Sequence, residues 1–214
     1  FNEGILATCS YDGSIKIRNM YTEEVITLTG SHRGIIKEEN RTKIYSIKWC
    51  PIKESQELIL CGDSNNTIKI WNTEKQKLVT EFELKIKNTK EIGRNNNDYP
   101  DTPYGNKKKL PNNLINNNIN SPVIGLDWNK ENIILATCNT FVYIMEFNGS
   151  KLFSNHAIDI HTKCNKIEFS PHPSDQKYQI FACACADGKI RIYDMTKISK
   201  SSNVSALKIL TGHL

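Results

Sequence analysis

Four stretches of the chain alternate apolar and variable residues and end in a bulky residue followed by an acid or amide. They are Ile15-Lys16-Ile17-Arg18-Asn19, Ile68-Lys69-Ile70-Trp71-Asn72, Val142-Tyr143-Ile144-Met145-Glu146 and Ile190-Arg191-Ile192-Tyr193-Asp194. A period of two with β-branched residues predicts strands with one buried face. A more uniformly apolar run precedes each: Ile5 to Ser10, Leu58 to Gly62, Ile133 to Cys138 and Ile180 to Ala186. Such runs fit strands covered on both faces. Tyr11-Asp12-Gly13, Asn65-Asn66 and Ala186-Asp187-Gly188 supply residues that tolerate the positive φ of a tight hairpin. The third copy lacks this turn, with Asn139 alone separating its two runs.

A further strand, apolar at relative positions 0, 3 and 5, precedes three of the pairs. It reads Ile44/Ile47/Trp49, Val123/Leu126/Trp128 and Cys164/Ile167/Phe169. A fourth follows each unit: residues 25–28, 78–82, a weak 151–153, and 207–210. The bulky positions are spaced by 53, 74 and 48 residues; removing 85–121 reduces the second interval to 37. A four-stranded repeat of roughly 40–45 residues is the signature of a propeller blade. The expected class is therefore all-β, a β-propeller fragment of about four four-stranded blades with the first incomplete. Residues 1–84 hold a partial and a full blade, 85–121 an insertion, and 122–214 two further blades.

The motifs resemble those of the WD40 repeat proteins over nearly the whole chain except 85–121. Leu210-Thr211-Gly212-His213 resembles the Gly-His that opens a WD40 repeat, and Gly30-Ser31-His32 is a version expanded by one residue. Ile70-Trp71-Asn72 and Ile192-Tyr193-Asp194 resemble the closing Trp-Asp. Within the family, residues 7–10, 44–49, 136–138 and 207–210 resemble consecutive blades of its large two-propeller members. The resemblance implies a buried tetrad of turn Asp, Gly-His histidine, strand Ser/Thr and Trp. Asp12 and Asp187 match its Asp, His32 and His213 its His, and Trp71 its Trp, but no single copy has all four. Arg18, Met145 and Tyr193 stand at the other Trp positions, so burial is expected to hold the blades together. The chain reads as a piece of a longer protein whose remaining blades would be its nearest partners. An unclosed arc leaves edges and an apolar flank exposed, so poor solubility or self-association is expected.

The net charge is +5, and 85–121 alone carries +4, from seven basic against three acidic residues. The remaining body is nearly neutral, which argues against a broad nucleic-acid surface. Between Arg94 and Asn120 lie ten Asn, three Pro and Lys107-Lys108-Lys109. Such a composition buries too little apolar area to order itself, so a disordered low-complexity loop is expected. Seven cysteines, an odd number mostly inside apolar runs, point to a reduced compartment, the cytoplasm or alternatively the nucleus. No apolar run approaches the ~20 residues of a membrane helix, and no leader peptide is in view.

The phosphate-loop, dinucleotide, zinc-protease and serine-hydrolase motifs are absent. His156, His161 and Cys164 give three ligand types without a fourth, and are read as loop histidines plus a core cysteine. Cys183 and Cys185 share one strand face, poor geometry for a disulfide. Trp49, Trp71 and Trp128 are read as core. The function expected is a non-catalytic scaffold without cofactor or metal. It presents a rim to a protein or peptide in a larger assembly. Tyr11, Arg41, Tyr45, Lys163 and Asn165 are the candidate contacts, because interfaces favour Tyr and Arg anchors. The alternative is an RNA-binding propeller that uses rim aromatics and the Lys-rich loop.

Overall fold

The computed structural model describes residues 4–29, 42–84, 121–171, 179–198 and 204–212. Within them the chain forms fifteen strands in four antiparallel sheets that follow one another in sequence. The first sheet holds β1 (Ile5–Cys9), β2 (Ser14–Asn19) and β3 (Val25–Thr29). The second holds β4 (Ile44–Trp49), β5 (Leu58–Asp63), β6 (Thr67–Asn72) and β7 (Lys77–Glu83). The third holds β8 (Val123–Trp128), β9 (Ile133–Cys138), β10 (Phe141–Phe147) and β11 (Leu152–Asp159). The fourth holds β12 (Cys164–Phe169), β13 (Ile180–Cys185), β14 (Lys189–Asp194) and β15 (Lys208–Thr211). A 3₁₀ turn spans Lys53–Ser55, and one α-helical turn, α1 (Met195–Ile198), is capped by Asp194, which accepts from the Thr196 N–H at 2.9 Å and hydroxyl at 2.6 Å.

Every sheet runs in simple meander order, and tight turns join β1 to β2 and the second strand of each four-stranded sheet to its third. Gly13 and Gly188 take φ of +81° and +75° in the Asp-Gly turns, a region where a β-carbon clashes. Asn66 takes +59° in the second sheet. The third sheet does have its hairpin, of two residues: Cys138 pairs with Phe141, and Asn139 at φ +57° makes the reversal. One αL-tolerant amide is sufficient there. The fourth strand of that sheet is also longer than its apolar pattern predicts. β11 spans eight residues and buries little beyond its two ends. Its order comes from backbone pairing with β10, which a hydrophobic pattern does not record.

Stacking of sheet on sheet decides which residues are apolar. Ile59, Cys61 and Trp71 pack against Ile15, Ile17 and Leu28 of the first sheet. From the opposite face of the second sheet, Leu58, Leu60, Ile68 and Ile70 pack against Leu126, Trp128, Ile134 and Met145 of the third. The third sheet's far face, Leu135, Val142 and Ile144, meets Ile167, Phe169 and Phe181 of the fourth. The second strands of the second and third sheets are thus covered on both sides, and all six residues of β5 are buried, whereas β1 and β13, expected from their apolar runs to be covered on both faces, belong to the outer sheets and bury one face more than the other. Tyr193, at the step that Trp71 holds in the second sheet, stacks on Phe181 at 5.4 Å. The corresponding outer face of the fourth sheet is uncovered among the described residues, with Ala184 exposed and Leu210 38% exposed.

The first strands of the second, third and fourth sheets lie side by side, β4 against β8 and β8 against β12. Close approach is possible because Gly62 and Gly125 carry no side chain at the crossing. A β-carbon on Gly62 would stand 2.6 Å from Val123 Cγ1, and one on Gly125 3.2 Å from Ile167 Cγ2. Asp127 then locks the three strands. Its carboxylate accepts from the backbone N–H groups of Trp128 at 2.9 Å and Phe169 at 2.7 Å, and pairs with Lys48 Nζ at 2.7 Å. No helix among the described residues is long and apolar enough to cross a membrane.

Candidate interaction surface

Three bulges set the surface at the starting end of the first strands. In β4, β8 and β12 the register slips by one residue directly after the first pair, leaving Tyr45, Ile124 and Asn165 without a partner on the neighbouring strand. A bulge bends the strand and re-aims its side chain. Tyr45 and Asn165, both expected contacts, therefore occupy one structural step, and Ile124 is its third member. Sequence reasoning missed Ile124 because the apolar spacing 0, 3, 5 was read without asking what shifts its phase. The odd interval between 0 and 3 on one strand face is the signal.

Tyr11 comes from the β1–β2 turn and meets Tyr45, with ring centroids 5.0 Å apart and planes tilted by 47°. Tilted pairs at this distance contribute about 0.5–1.5 kcal/mol beyond burial. Lys43 Nζ lies 5.5 Å from the Tyr11 centroid, within range of a cation–π attraction. Two turns hold the segment that carries Lys43. Its N–H donates to Ser64 Oγ at 3.1 Å, its carbonyl accepts from Ser64 N at 2.8 Å, and Asn65 Nδ2 donates to Thr42 Oγ1 at 3.1 Å. On the other side Ile44 N donates to Ser10 O at 3.2 Å. The lysine and the tyrosines are thus presented by a clamped backbone. Tyr11 remains 62% exposed, so the pair offers ring surface outward.

Lys163 and Asn165 are exposed; Lys163 directly precedes β12 as Lys43 precedes β4, and Asn165 stands on β12 at the step that Tyr45 holds on β4. They belong to the fourth sheet, with the third sheet between them and the tyrosine pair. Arg41, His32 and His213 lie outside the described residues, as do the connection 33–41 and residues 85–120 of the expected loop. Ser121, counted with that loop, is buried and bonds Asn66 Oδ1 through its N–H.

The turn acids hold their own hairpins. Asp12 accepts from the Ser14 N–H at 2.8 Å and hydroxyl at 2.6 Å, which hold its carboxyl below the usual range. In the second sheet the acid sits two positions earlier. Asp63, 2% exposed, accepts from Asn65 N and Thr67 N. Asp187 makes a two-point pair with Arg191, at 2.9 and 2.6 Å. That guanidinium holds the Asp187 carboxyl down at about 2. A lowered native value means that the pair's contribution is present above the unfolded value of 3.8 and is lost as pH falls through about 2. In a carbon-detected NMR titration Asp187 is expected to titrate near 2 in the native chain and to move up toward 3.8 in Arg191→Met. An unchanged midpoint in the variant would remove Arg191 as the cause.

Burial pushes the Cys61 and Cys138 thiols up to about 12, so neither is a thiolate nucleophile at neutral pH. Among the described residues no group of three or more His, Cys, Asp or Glu is placed to hold a metal ion, and His156, His161 and Cys164 form no such group. What the arrangement offers chemically is recognition: two tyrosine rings, one of them at a bulge, a lysine and two further bulge side chains on a hydrogen-bonded frame. No family model matches the chain.

Proposed function

We propose that the chain is an arc of a WD40-type β-propeller acting as a non-catalytic scaffold. It displays the turn-and-bulge end of its sheets to a protein or peptide partner in a larger assembly inside the cell. The observation that carries this reading is the Tyr11–Tyr45 pair with Lys43 beside it, mounted where β4, β8 and β12 each bulge at the same step. Each bulge puts the apolar residues of steps 0 and 3 on one face and re-aims the side chain between them, so three side chains are turned in register. Tyrosine contributes large rigid contact area at low entropic cost and is enriched in interface centres.

The test is affinity capture with the chain and with Tyr11→Ala/Tyr45→Ala. Partners bound through this surface are expected to fall by at least tenfold in the double variant, since an aromatic anchor is worth about 2 kcal/mol or more. Capture between 50 and 200 mM salt separates protein from RNA. A hot-spot protein interface barely responds, whereas contacts to six or more phosphates lose roughly 10³-fold or more. Captured species that are unaffected by the double variant, or a steep salt loss, would overturn the reading.

A further inference from the structure

Three free thiols meet at the turn end of the fourth sheet. Cys164 opens β12, and Cys183 and Cys185 lie on β13, all three in the apolar layer against the third sheet. We propose that Cys164 and Cys185 form a reversible cross-strand disulfide, which makes this pair an oxidation site.

The ladder sets the two residues at disulfide distance. Cys164 stands directly opposite Cys185. Ala186 N donates to Lys163 O at 2.8 Å, so the step before is a hydrogen-bonded one. Bonded and free steps alternate in an antiparallel pair, which makes Cys164–Cys185 a step without cross-strand bonds. At such a step the α-carbons are about 4.5 Å apart and the two side chains rise from the same face. Disulfides span about 4.4–6.8 Å between α-carbons. Cys183 lies opposite Ile167 and is only a diagonal neighbour of Cys164, at a separation of roughly 7–8 Å that a disulfide does not bridge. The equivalent step holds Ile44 opposite Asp63 in the second sheet and Val123 opposite Cys138 in the third. Each sulfur of the pair rests on a backbone carbonyl, Cys164 Sγ on Lys166 O at 3.1 Å and Cys185 Sγ on Cys183 O at 3.5 Å. A thiol is a weak donor, so rotation about χ1 gives up little.

The two sulfurs divide the chemistry. Cys185 is 8% exposed and Cys164 1%, so a small oxidant enters at Cys185, beside the Asp187-Gly188 turn. Burial pushes the Cys185 thiol up, and the Arg191 side chain opposes that rise. A hydrogen bond with the Cys183 thiol holds Cys164 below the usual thiol value, so Cys164 supplies the thiolate. With hydrogen peroxide as oxidant, the Cys185 sulfur attacks one peroxide oxygen and the O–O bond breaks. Cys185 sulfenic acid and one water result. The Cys164 thiolate then attacks the Cys185 sulfur and the S–O bond breaks. The hydroxide that leaves takes up the proton Cys164 had released. Two thiols are oxidised, and one peroxide is reduced to two waters. Two molecules of a thiol such as glutathione reverse the bond by exchange and leave as their own disulfide. The bond closes between the neighbours of Lys163, Asn165 and the Asp187 turn, at the end of the sheet that carries the candidate contacts.

In the test the folded 214-residue chain is treated with a small excess of hydrogen peroxide, alkylated in denaturant, and digested with trypsin. The expected product links residues 164–166 to residues 178–189. Fragmentation is expected to place the bond on Cys185 and the alkyl group on Cys183, and dithiothreitol is expected to release the link. In chain unfolded with urea before oxidation, the share of this pair among all linked pairs should fall about fivefold or more, because the strand register no longer selects it. Cys185→Ala is expected to leave residues 164–166 unlinked, and Cys183→Ala to keep the link. If a variant does not fold, the mapping in the parent chain carries the test alone. A bond on Cys183, the same spread of pairs in folded and unfolded chain, or both thiols still alkylated after peroxide would overturn the proposal. So would a covalent dimer that carries the linked peptides, or Cys185 driven to sulfinic acid while Cys164 remains alkylated.

Discussion

Asp127→Ala is expected to destabilise the chain by about 3–5 kcal/mol, the cost of breaking a buried charged cluster by removing one member. The acid is 4% exposed. Its carboxylate serves two backbone N–H groups, of Trp128 and Phe169, that point away from their own sheets and have no strand to bond. It also holds the ammonium of Lys48 on the preceding sheet. Alanine leaves both N–H groups unsatisfied in a dry place, each costing about 1–3 kcal/mol. Lys48→Met is expected to cost under about 1 kcal/mol, because that side chain is 39% exposed and water replaces the lost partner. In denaturant titrations the Asp127→Ala midpoint should fall well below both the parent and Lys48→Met at similar slope. Equal midpoints for the two variants would show that the ion pair, and not the backbone acceptor, is what Asp127 contributes.

That role explains a boundary of what could be read from the chain. Period-two alternation and Asp-Gly turns located the strands, because each residue's face follows from its own position. The doubly apolar runs around Leu60, Leu135 and Phe181 identified the middle strands for the same reason. The lock at Asp127 is different. At step 4 of a first strand, Lys48, Asp127 and Glu168 read as solvent-facing charges, and only the convergence of three sheets turns one of them into a buried acceptor. The signal was there in the opposite signs of Lys48 and Asp127 at equivalent steps, but it acquires meaning only once β4 and β8 are known to be adjacent. Tyr11 and Tyr45 were singled out from residue type and turn position, and they do meet. Lys43 was not, since a lysine before a strand carries no distinguishing pattern. Its placement depends on Ser64 and Asn65, some twenty residues on.

Gly62→Ala is expected to cost about 2–3 kcal/mol, more than most surface or half-buried changes. Backbone strain is not the cause, because Gly62 does not adopt the left-handed region. The cause is distance between sheets. The new methyl would sit 2.6 Å from Val123 Cγ1, 2.7 Å from Val123 Cβ and 2.8 Å from Ser46 Oγ. Val123 is fully buried and β-branched, with few rotamers to escape into. Ser46 is committed to the Val123 carbonyl at 2.8 Å. Relief therefore requires β8 to move away from β4, which would also stretch the Asp127–Lys48 contact. Val123→Ala alone is expected to destabilise by opening a void at the same place. Combined with Gly62→Ala, loss of the two Val123 methyls removes the 2.6 Å contact with Cγ1 and leaves those with Cβ and Ser46 Oγ, so the double variant should be more stable than the sum of the single losses by about 0.5 kcal/mol or more. Additive losses would mean that the sheets part without resistance at this crossing, and that Gly62 is small there for some reason other than the approach of β8.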